Sequence, residues 1–248
     1  MIHYHGGPIT PVRTAIGVWS RGHAFVSFAR PDQIALAAEV SQTFAVDSGA
    51  FSSWTKGVNM DVVAYADWVQ TWGRHPGFDW CLIPDVIDGD EKENDSLISR
   101  WCASVSERVS VPVWHMHESI ARLQRLTEDW PRVALGSSGR YASVGSEAWW
   151  GRMRDAMDAV CDADGRPRTK LHGLRMLNSE VFTRLPLSSA DSTNLAQNHS
   201  AVSLQYGLTD GTGAAVLQSR IESKQSASAW NRGASGFSMF EAIETANL

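Results

Sequence analysis

The sequence predicts an α/β fold, a single compact (β/α)8 barrel of the TIM type that spans residues 1–248 as one domain. Short apolar, β-branched or aromatic runs alternate with longer amphipathic stretches as far as about residue 193, which is typical of repeated βα units. There are eight such runs, the number that this barrel requires. No linker rich in Pro, Gly and Ser and no internal repeat divides the chain. A doubly wound open sheet is the competing architecture.

The predicted strands are, in chain order, IHYHG, HAFVSF, TFAVDSG, FDWCLIPD, PVWHMH, RVALGSS, KLHGLRM and LSSADST. The predicted helices between them are PDQIALAAEV, MDVVAYADWVQTW, NDSLISRWCASVS, SIARLQRLTEDW, SEAWWGRMRDAMDAVC and NSEVFTRL. Pro31 with Asp32, and Ser146 with Glu147, are typical helix starts. The connections after the first and eighth strands look irregular. Residues 194–248 contain the polar segment SRIESKQSASAWNRGASG, expected to be a loop, and then an expected closing helix, FSMFEAIETANL.

The composition, with 43% hydrophobic and 20% charged residues, is that of an ordinary globular protein. A net charge of −5 is not that of a sequence-blind nucleic-acid binder, although residues 121–184 carry eleven Lys or Arg against eight Asp or Glu. Because no long apolar run and no secretory signal is present, we expect a cytoplasmic protein without a membrane span. The spacing of Cys81, Cys102 and Cys161 favours buried free thiols over disulfides or a thiolate zinc site.

Polar residues end several predicted strands. In a parallel barrel the functional groups gather at the carboxyl ends of the strands, because the βα loops lie there. The residues at these ends are His5, Asp47, Asp85, His115, His117, His172 and Asp191. Each alone is commonly a helix cap or a hydrogen-bonded core residue. Carboxylates on the third and eighth strands can nevertheless flank one bound molecule, as acid/base or nucleophilic work at a glycosidic carbon demands.

Two loops rich in small residues follow predicted strands. In the first, Gly49 lies two residues after Asp47 and lets a flat ligand come close, while Phe51 offers a ring for stacking. The second, LGSSGRYASVG, has backbone N–H groups that can bind an oxygen. Neither loop contains the GxxxxGK[ST] or GxGxxG pattern, so neither a P-loop nor a dinucleotide fold is predicted.

These motifs resemble those of the tRNA-guanine transglycosylases. Asp47-Ser48-Gly49-Ala50-Phe51 resembles the D-S-G-G-[FY] signature of that family, whose fold is a (β/α)8 barrel. Four further segments resemble family motifs in the same order: FDWCLIPDVID, VALGSSGRYASVG, KLHGLRM and LPLSSADSTN. The resemblance covers about 150 residues, from Asp47 to Asp191.

The resemblance implies a base-exchange enzyme, which cuts the N-glycosidic bond of guanine, holds the sugar covalently and installs a 7-deazaguanine. It implies that Asp191 is the nucleophile and Asp47 the general acid/base group. Asp85 would accept hydrogen bonds from the purine N1–H and exocyclic amine. The other implied base-binding residues are Ser48, Gly49, Phe51, His117, Gly136, Ser137 and His172. The free 7-deazaguanine base is a substrate, and no cofactor is expected.

Several departures point to one branch of the superfamily. The C-x-C-x-x-C…H zinc site of the tRNA enzymes is missing from the sequence, and no zinc subdomain or bound metal is expected. His117 and His172 replace a glutamine and a methionine of the family, and Ala50 its second signature glycine. A short chain with these changes is similar to the phage-type DNA-guanine transglycosylases, the DpdA group, which insert 7-cyano-7-deazaguanine or a relative. DNA is therefore the expected partner and tRNA the alternative, in the host cytoplasm if a phage encodes the chain.

A flipped-out guanine has to be held by contacts to the nucleic-acid backbone. The basic residues chosen as candidate phosphate partners are Arg140, Lys170, Arg175, Lys224 and Arg232. The sequence leaves the oligomeric state open.

Two other functions fit parts of the sequence. His3 and His5 form an HxH on the first strand, and with Asp191 they are compatible with a metal-dependent amidohydrolase barrel. That hypothesis leaves the DSGAF loop unexplained. A non-catalytic module that binds nucleic acid or a modified base is the third possibility.

Overall fold

The computed structural model of this chain describes residues 1–208 and 211–233. Nine parallel strands form one sheet, in the order β5-β4-β3-β2-β1-β9-β8-β7-β6. The strands are β1 Ile2–Gly6, β2 His23–Ser27, β3 Thr43–Asp47, β4 Phe78–Leu82, β5 Ser110–Val111, β6 Val113–His115, β7 Arg132–Gly136, β8 Lys170–Gly173 and β9 Ser189–Ser192. The predicted single (β/α)8 barrel is confirmed.

Pro112 is the point at which the sheet closes. It separates β5, which pairs with β4, from β6, which pairs with β7. The predicted fifth strand, PVWHMH, contains β6 only, and β5 directly precedes it. Because proline has no N–H to give to a ladder, it interrupts the pairing there. Each of the other seven predicted runs contains a single strand.

Helices surround the sheet. They are α1 Val12–Trp19, α2 Ile34–Val40, α3 Ala50–Thr55, α4 Val62–Trp72, α5 Glu91–Cys102, α6 Ile120–Asp129, α7 Glu147–Val160, α8 Ser179–Phe182, α9 Asn194–Gln205 and α10 Thr212–Glu222. The side chains of Asp61, Asp90, Ser119 and Ser146 cap α4, α5, α6 and α7 by accepting a backbone N–H. No helix among residues 1–208 and 211–233 is long and apolar enough to cross a membrane.

The polar segment expected to be a loop, residues 219–236, begins at the end of α10 and has no helix or strand from residue 223 to 233. The helices α9 and α10 before it were not predicted. Helix α10 packs beside α1 and faces β1: Glu222 Oε1 lies 2.9 Å from His5 Nε2, and Gln218 donates to the carbonyl of Val18. The predicted helix FSMFEAIETANL lies outside the described residues.

The barrel interior is filled by aromatic side chains. Tyr4, Phe25 and Trp80 pack with small and aliphatic residues from the other strands. The register between β3 and β4 shifts after Phe44↔Phe78 to Val46↔Cys81, so Asp79 and Trp80 both lie opposite Ala45, as in a β-bulge. The bulge explains how both side chains reach Tyr4: Trp80 Nε1 donates to its hydroxyl, which in turn donates to Asp79.

Candidate active site at the carboxyl ends of the strands

Three carboxylates meet at one mouth of the barrel. Asp47 is the last residue of β3, Asp191 lies in β9, and Asp85 follows the end of β4 by three residues. Asp47 and Asp191 follow the inward-facing Ala45 and Ser189 by two positions, and alternate residues of a strand share a face. The carboxylates of Asp85 and Asp191 both raise the pKa of Asp47, so the three groups interact directly.

Asp47 titrates far above an ordinary aspartate. Its pKa is raised from 3.8 to about 6, and the largest cause is loss of hydration. Hydrogen bonds from the Ser27 hydroxyl and the Gly49 N–H favour the charged form and oppose this rise. A carboxyl group with this pKa exchanges a proton readily near neutral pH.

The turn after Asp47 has a backbone reason. Gly49 has φ = +80° and precedes the first residue of α3, and a Cβ there would lie 2.9 Å from both Cβ and N of Ala29. Ser48 is buried and its Oγ accepts the N–H of Ala50. Both residues shape the turn, and the close approach of a ligand to Gly49 stays a prediction.

Helix α3 presents two aromatic rings at the mouth. Phe51 is 44% exposed and Trp54 48% exposed, and their ring centroids are 5.8 Å apart. Phe51 is therefore placed as predicted, with its ring accessible beside Asp47.

Asp191 is held by two donors. The N–H of Arg175 donates to Asp191 Oδ1 at 3.0 Å, and His172 Nε2 lies 3.3 Å from the same oxygen. His172 Nδ1 is bonded to Ser189 Oγ, and burial lowers the pKa of this histidine, which favours the neutral ring. With that tautomer the ring donates to Asp191 and accepts from the serine hydroxyl. The carboxylate is thus fixed in direction without being neutralised by a cation.

His172 does not contact the mouth. It is fully buried, and its ring packs against Tyr4, Phe25 and Trp80 in the barrel interior. Its predicted role as a base-binding residue is therefore wrong. It positions Asp191 from inside the barrel, because its side chain points inward, where it contacts Ser189.

Asp85 lies against His115. Oδ2 of Asp85 is 2.8 Å from Nε2 of His115, but the orientation is not that of a hydrogen bond, and Nε2 is buried with no hydrogen-bond partner among the described residues. His115 is 3% exposed. His115 was predicted at a strand end without a role; the inward-facing position that it shares with Val113, two residues earlier, was the available signal.

A buried network fixes this wall of the site. Glu118 accepts the N–H of His115 and a guanidinium N–H of Arg122, at 2.8 and 2.7 Å. Its other oxygen accepts from Asn94, whose own side-chain oxygen accepts the N–H of Val86 next to Asp85. The loops that carry Asp85 and His115 are therefore tied together beneath the mouth.

His117 has both ring nitrogens engaged. Nδ1 is bonded to Ser138 Oγ at 2.7 Å and Nε2 to the carbonyl of Gly89 at 3.0 Å. It links the loops after β4, β6 and β7, and its ring stacks on His115 at 5.6 Å. A base contact through His117 would require one of these bonds to break, whereas the adjacent His115 has a free nitrogen.

The loop after β7 offers backbone donors. Gly136 has no room for a side chain, since a Cβ would lie 3.1 Å from His115 Nδ1. The Ser137 hydroxyl accepts from Trp149 Nε1. Within the described part of the chain, the N–H groups of Ser137, Ser138 and Gly139 donate to no atom. This matches the predicted use of these groups for a ligand oxygen.

Arg175 spans the mouth. It follows β8 and has φ = +60°, a conformation that few residues with a side chain adopt. Its guanidinium donates to the Ser137 carbonyl at 2.9 Å, and Cζ lies 4.8 Å from the centroid of the Phe51 ring. Counting β5 and β6 as one strand, β8 and β3 are opposite each other in the barrel, so this side chain reaches from the β8 side of the mouth to Phe51 on the β3 side.

Only two of the five predicted phosphate-binding residues lie on this side. Arg140 and Arg175 are in the loops after β7 and β8. Lys170 is instead the first residue of β8, at the amino end. The Lys224 carbonyl accepts from His3 near the start of β1, and Arg232 bonds the Cys161 carbonyl at the end of α7. The predicted role of these three at the same site is wrong, because charge along the chain does not indicate the end of the barrel.

The histidines of the amidohydrolase hypothesis face away from the site. His3 Nε2 is bonded to the Lys224 carbonyl and His5 Nε2 to Glu222, outside the barrel, because Tyr4 between them points inward. Asp191 lies inside, so the structure does not bring the three residues together. Among residues 1–208 and 211–233, no group of three His, Cys, Asp or Glu side chains is arranged to hold a metal ion.

Comparison of the chain with protein-family models, with curated proteins and with solved structures gives no match. The fold and the geometry of this mouth are therefore the basis for any statement about function.

Proposed function

We propose that this protein is a base-exchange transglycosylase that replaces guanine in DNA by a 7-deazaguanine through a covalent aspartyl-sugar intermediate. One observation carries the proposal: Asp47, Asp85 and Asp191 share one mouth, and the pKa of Asp47 is raised to about 6 while Asp191 is held by neutral donors. Two carboxyl groups in such different environments suit an acid/base group and a nucleophile.

The chemistry proceeds in two displacements. An oxygen of Asp191 attacks C1′ of the target deoxyribose, the C1′–N9 bond breaks, and its electron pair leaves with guanine, which takes a proton from Asp47. The incoming 7-deazaguanine then gives its N9 proton to Asp47 and attacks C1′, which releases Asp191. One glycosidic bond is broken and one is formed, so no external energy source is needed.

The mouth supplies contacts for the purine. The carboxylate of Asp85 suits the N1–H and exocyclic amine of guanine, and the free Nε2 of His115 lies beside it. The unbonded N–H groups of the loop after β7 suit the O6 oxygen. Phe51 offers its ring for stacking.

Incubation of the protein with labelled guanine, in the presence of DNA or tRNA in separate reactions, tests the proposal. Label is expected to enter DNA. Label that enters tRNA alone would indicate that the protein exchanges guanine in tRNA instead of DNA. Label that enters neither nucleic acid would refute base exchange.

Asp191→Asn is the matched variant, because it keeps the shape and an acceptor oxygen but removes the nucleophile. We expect it to retain DNA and guanine binding and to form no adduct that survives denaturation, with a loss of exchange of at least about 10³-fold. An unchanged exchange rate would contradict the assignment of Asp191. Binding without an adduct in the unmodified protein would instead favour a non-catalytic module.

A further inference from the structure

The guanidinium of Arg175 lies where a stacked purine would lie. Its Cζ is 4.8 Å from the centroid of the Phe51 ring, within the range of about 4.5–7 Å over which aromatic pairs stack. A guanidinium is flat and delocalised and stacks on aromatic faces as a ring does. A second flat group cannot occupy the same face of Phe51 while Arg175 stays there.

The contacts of this guanidinium are weak and exposed. Arg175 is exposed, and its one side-chain hydrogen bond to the residues that the structure describes joins Nη2 to the carbonyl of Ser137. Within the described residues it forms no ion pair with Asp47, Asp85 or Asp191, although it spans the same mouth. An arginine with four of five N–H donors uncommitted is easily transferred to a stronger acceptor, and a phosphate accepts two of these donors at once.

The backbone of Arg175 is held separately from its side chain. The N–H donates to Asp191, and the positive φ turns the side chain back over the mouth. The side chain can therefore move without releasing the carboxylate.

We propose that Arg175 is a specificity-determining residue that occupies the purine position on Phe51 in the free protein and moves onto a backbone phosphate when a nucleotide enters. This inference rests on the proposed function. Its consequence is selection: a base that belongs to a nucleic acid brings the phosphate that draws Arg175 away, whereas a free base must displace Arg175 without that compensation. Entry of the free base is then favoured in the second displacement, when the bound nucleic acid already holds the guanidinium.

Arg175→Gly is the variant of choice. Glycine adopts φ = +60° without strain and keeps the N–H that Asp191 accepts, so only the side chain is lost. Guanine affinity, measured by calorimetry without nucleic acid, is expected to rise about three- to tenfold, because no stacked cation or hydrogen bond has to be displaced. Affinity for a single-stranded, guanine-containing DNA oligonucleotide is expected to fall, and the slope of log K against log salt to decrease by about 0.7, one lost phosphate contact.

Two further variants separate the contributions. Arg175→Lys keeps the charge but not the flat group, so guanine affinity should rise as in Arg175→Gly while the salt slope stays near that of the unmodified protein. Lys170→Gln removes an equal charge from the exposed amino end of β8 and should change neither quantity. A change in salt slope for Lys170→Gln as large as for Arg175→Gly would overturn the phosphate assignment.

The results of these binding and adduct measurements distinguish a failure of this inference from a failure of the proposed function. Equal or lower guanine affinity in Arg175→Gly, with covalent adduct still formed by the unmodified protein, would refute the proposal that Arg175 occupies the purine position. Base exchange would not be affected by that result. Absence of both guanine binding and adduct in the unmodified protein would refute base exchange and this inference with it.

Discussion

Both ends of the barrel contain acidic side chains that are partly or fully shielded from solvent, and the charges of these side chains are compensated differently. At the amino end, one oxygen of Asp79 accepts from the Tyr4 hydroxyl, and the other lies 3.6 Å from Arg132 Nη1. The Arg132 guanidinium in turn lies over the Trp80 ring. At the carboxyl end, none of the three aspartates pairs with a Lys or Arg side chain among the described residues; Asp85 and Asp191 lie against the side chains of His115 and His172 instead.

The acidic group at the amino end therefore has a structural role, whereas those at the carboxyl end are available for chemistry. At the amino end, burial with the nearby Asp79 raises the pKa of Tyr4, so the phenol remains a donor. At the carboxyl end, burial raises the pKa of Asp47, the neighbouring Asp85 and Asp191 carboxylates add to the rise, and the shift costs stability. Proteins accept such a cost where a reactive group is needed.

The largest expected effect is on catalysis. Asp47→Asn should lower single-turnover exchange by about 10²–10⁴-fold, because an amide cannot donate and recover the proton. Adduct formation is followed in quenched samples. Asp79→Asn, the same change at the other end, should leave the exchange rate within about twofold; an equal loss in both variants would erase the distinction between the ends.

The next effect is on stability at the amino end. Asp79→Asn should lower the free energy of unfolding by about 2 kcal/mol at pH 7, since Tyr4 and Arg132 lose a charged acceptor. Urea unfolding followed by tryptophan fluorescence measures it. No loss would mean that the partly buried ion pair only compensates for its own desolvation.

The smallest effect has the opposite sign. The pKa of Asp47 is about 6 when folded and 3.8 ordinarily, so its contribution to stability is fully present below about pH 4 and is lost as pH rises through 6. The whole shift would correspond to about 3 kcal/mol, but solvent screens the partly exposed carboxylate. Asp47→Asn should therefore raise the free energy of unfolding by about 1 kcal/mol at pH 8 and by much less at pH 4. Unfolding curves at both pH values check this; destabilisation at pH 8 would contradict the raised pKa.

The strands and the three aspartates could be predicted because both depend on local pattern. Apolar runs such as TFAVD and RVALG form strands, and polar residues at their ends fall on one rim of a parallel barrel. Helices α1 and α3 were not predicted: α1 contains Gly17, and α3, AFSSWT, is short and starts from a glycine with positive φ. Neither carries a strong helical signal.

The side-chain partners in the site depend on contacts across the barrel, which no local pattern reports. The β-bulge lets the side chains of both Asp79 and Trp80 reach Tyr4, and the positive φ of Arg175 turns its side chain back over the mouth. His115 was overlooked in favour of His117 because both end the same run, and only the bonds of His117 to Ser138 and Gly89 reveal which nitrogen is free.

The proline at position 112 gives the cylinder a seam. Asp85 belongs to the loop after β4 on one side of that seam, and His115 ends β6 on the other side. A ligand bound by both residues therefore connects the two edges of the sheet. Amide hydrogens of Ile83 and Ala134, which bond Val111 and Pro112 on either side, would then exchange more slowly once that ligand is bound. Binding of a ligand at the mouth and stabilisation of the closed barrel are then coupled.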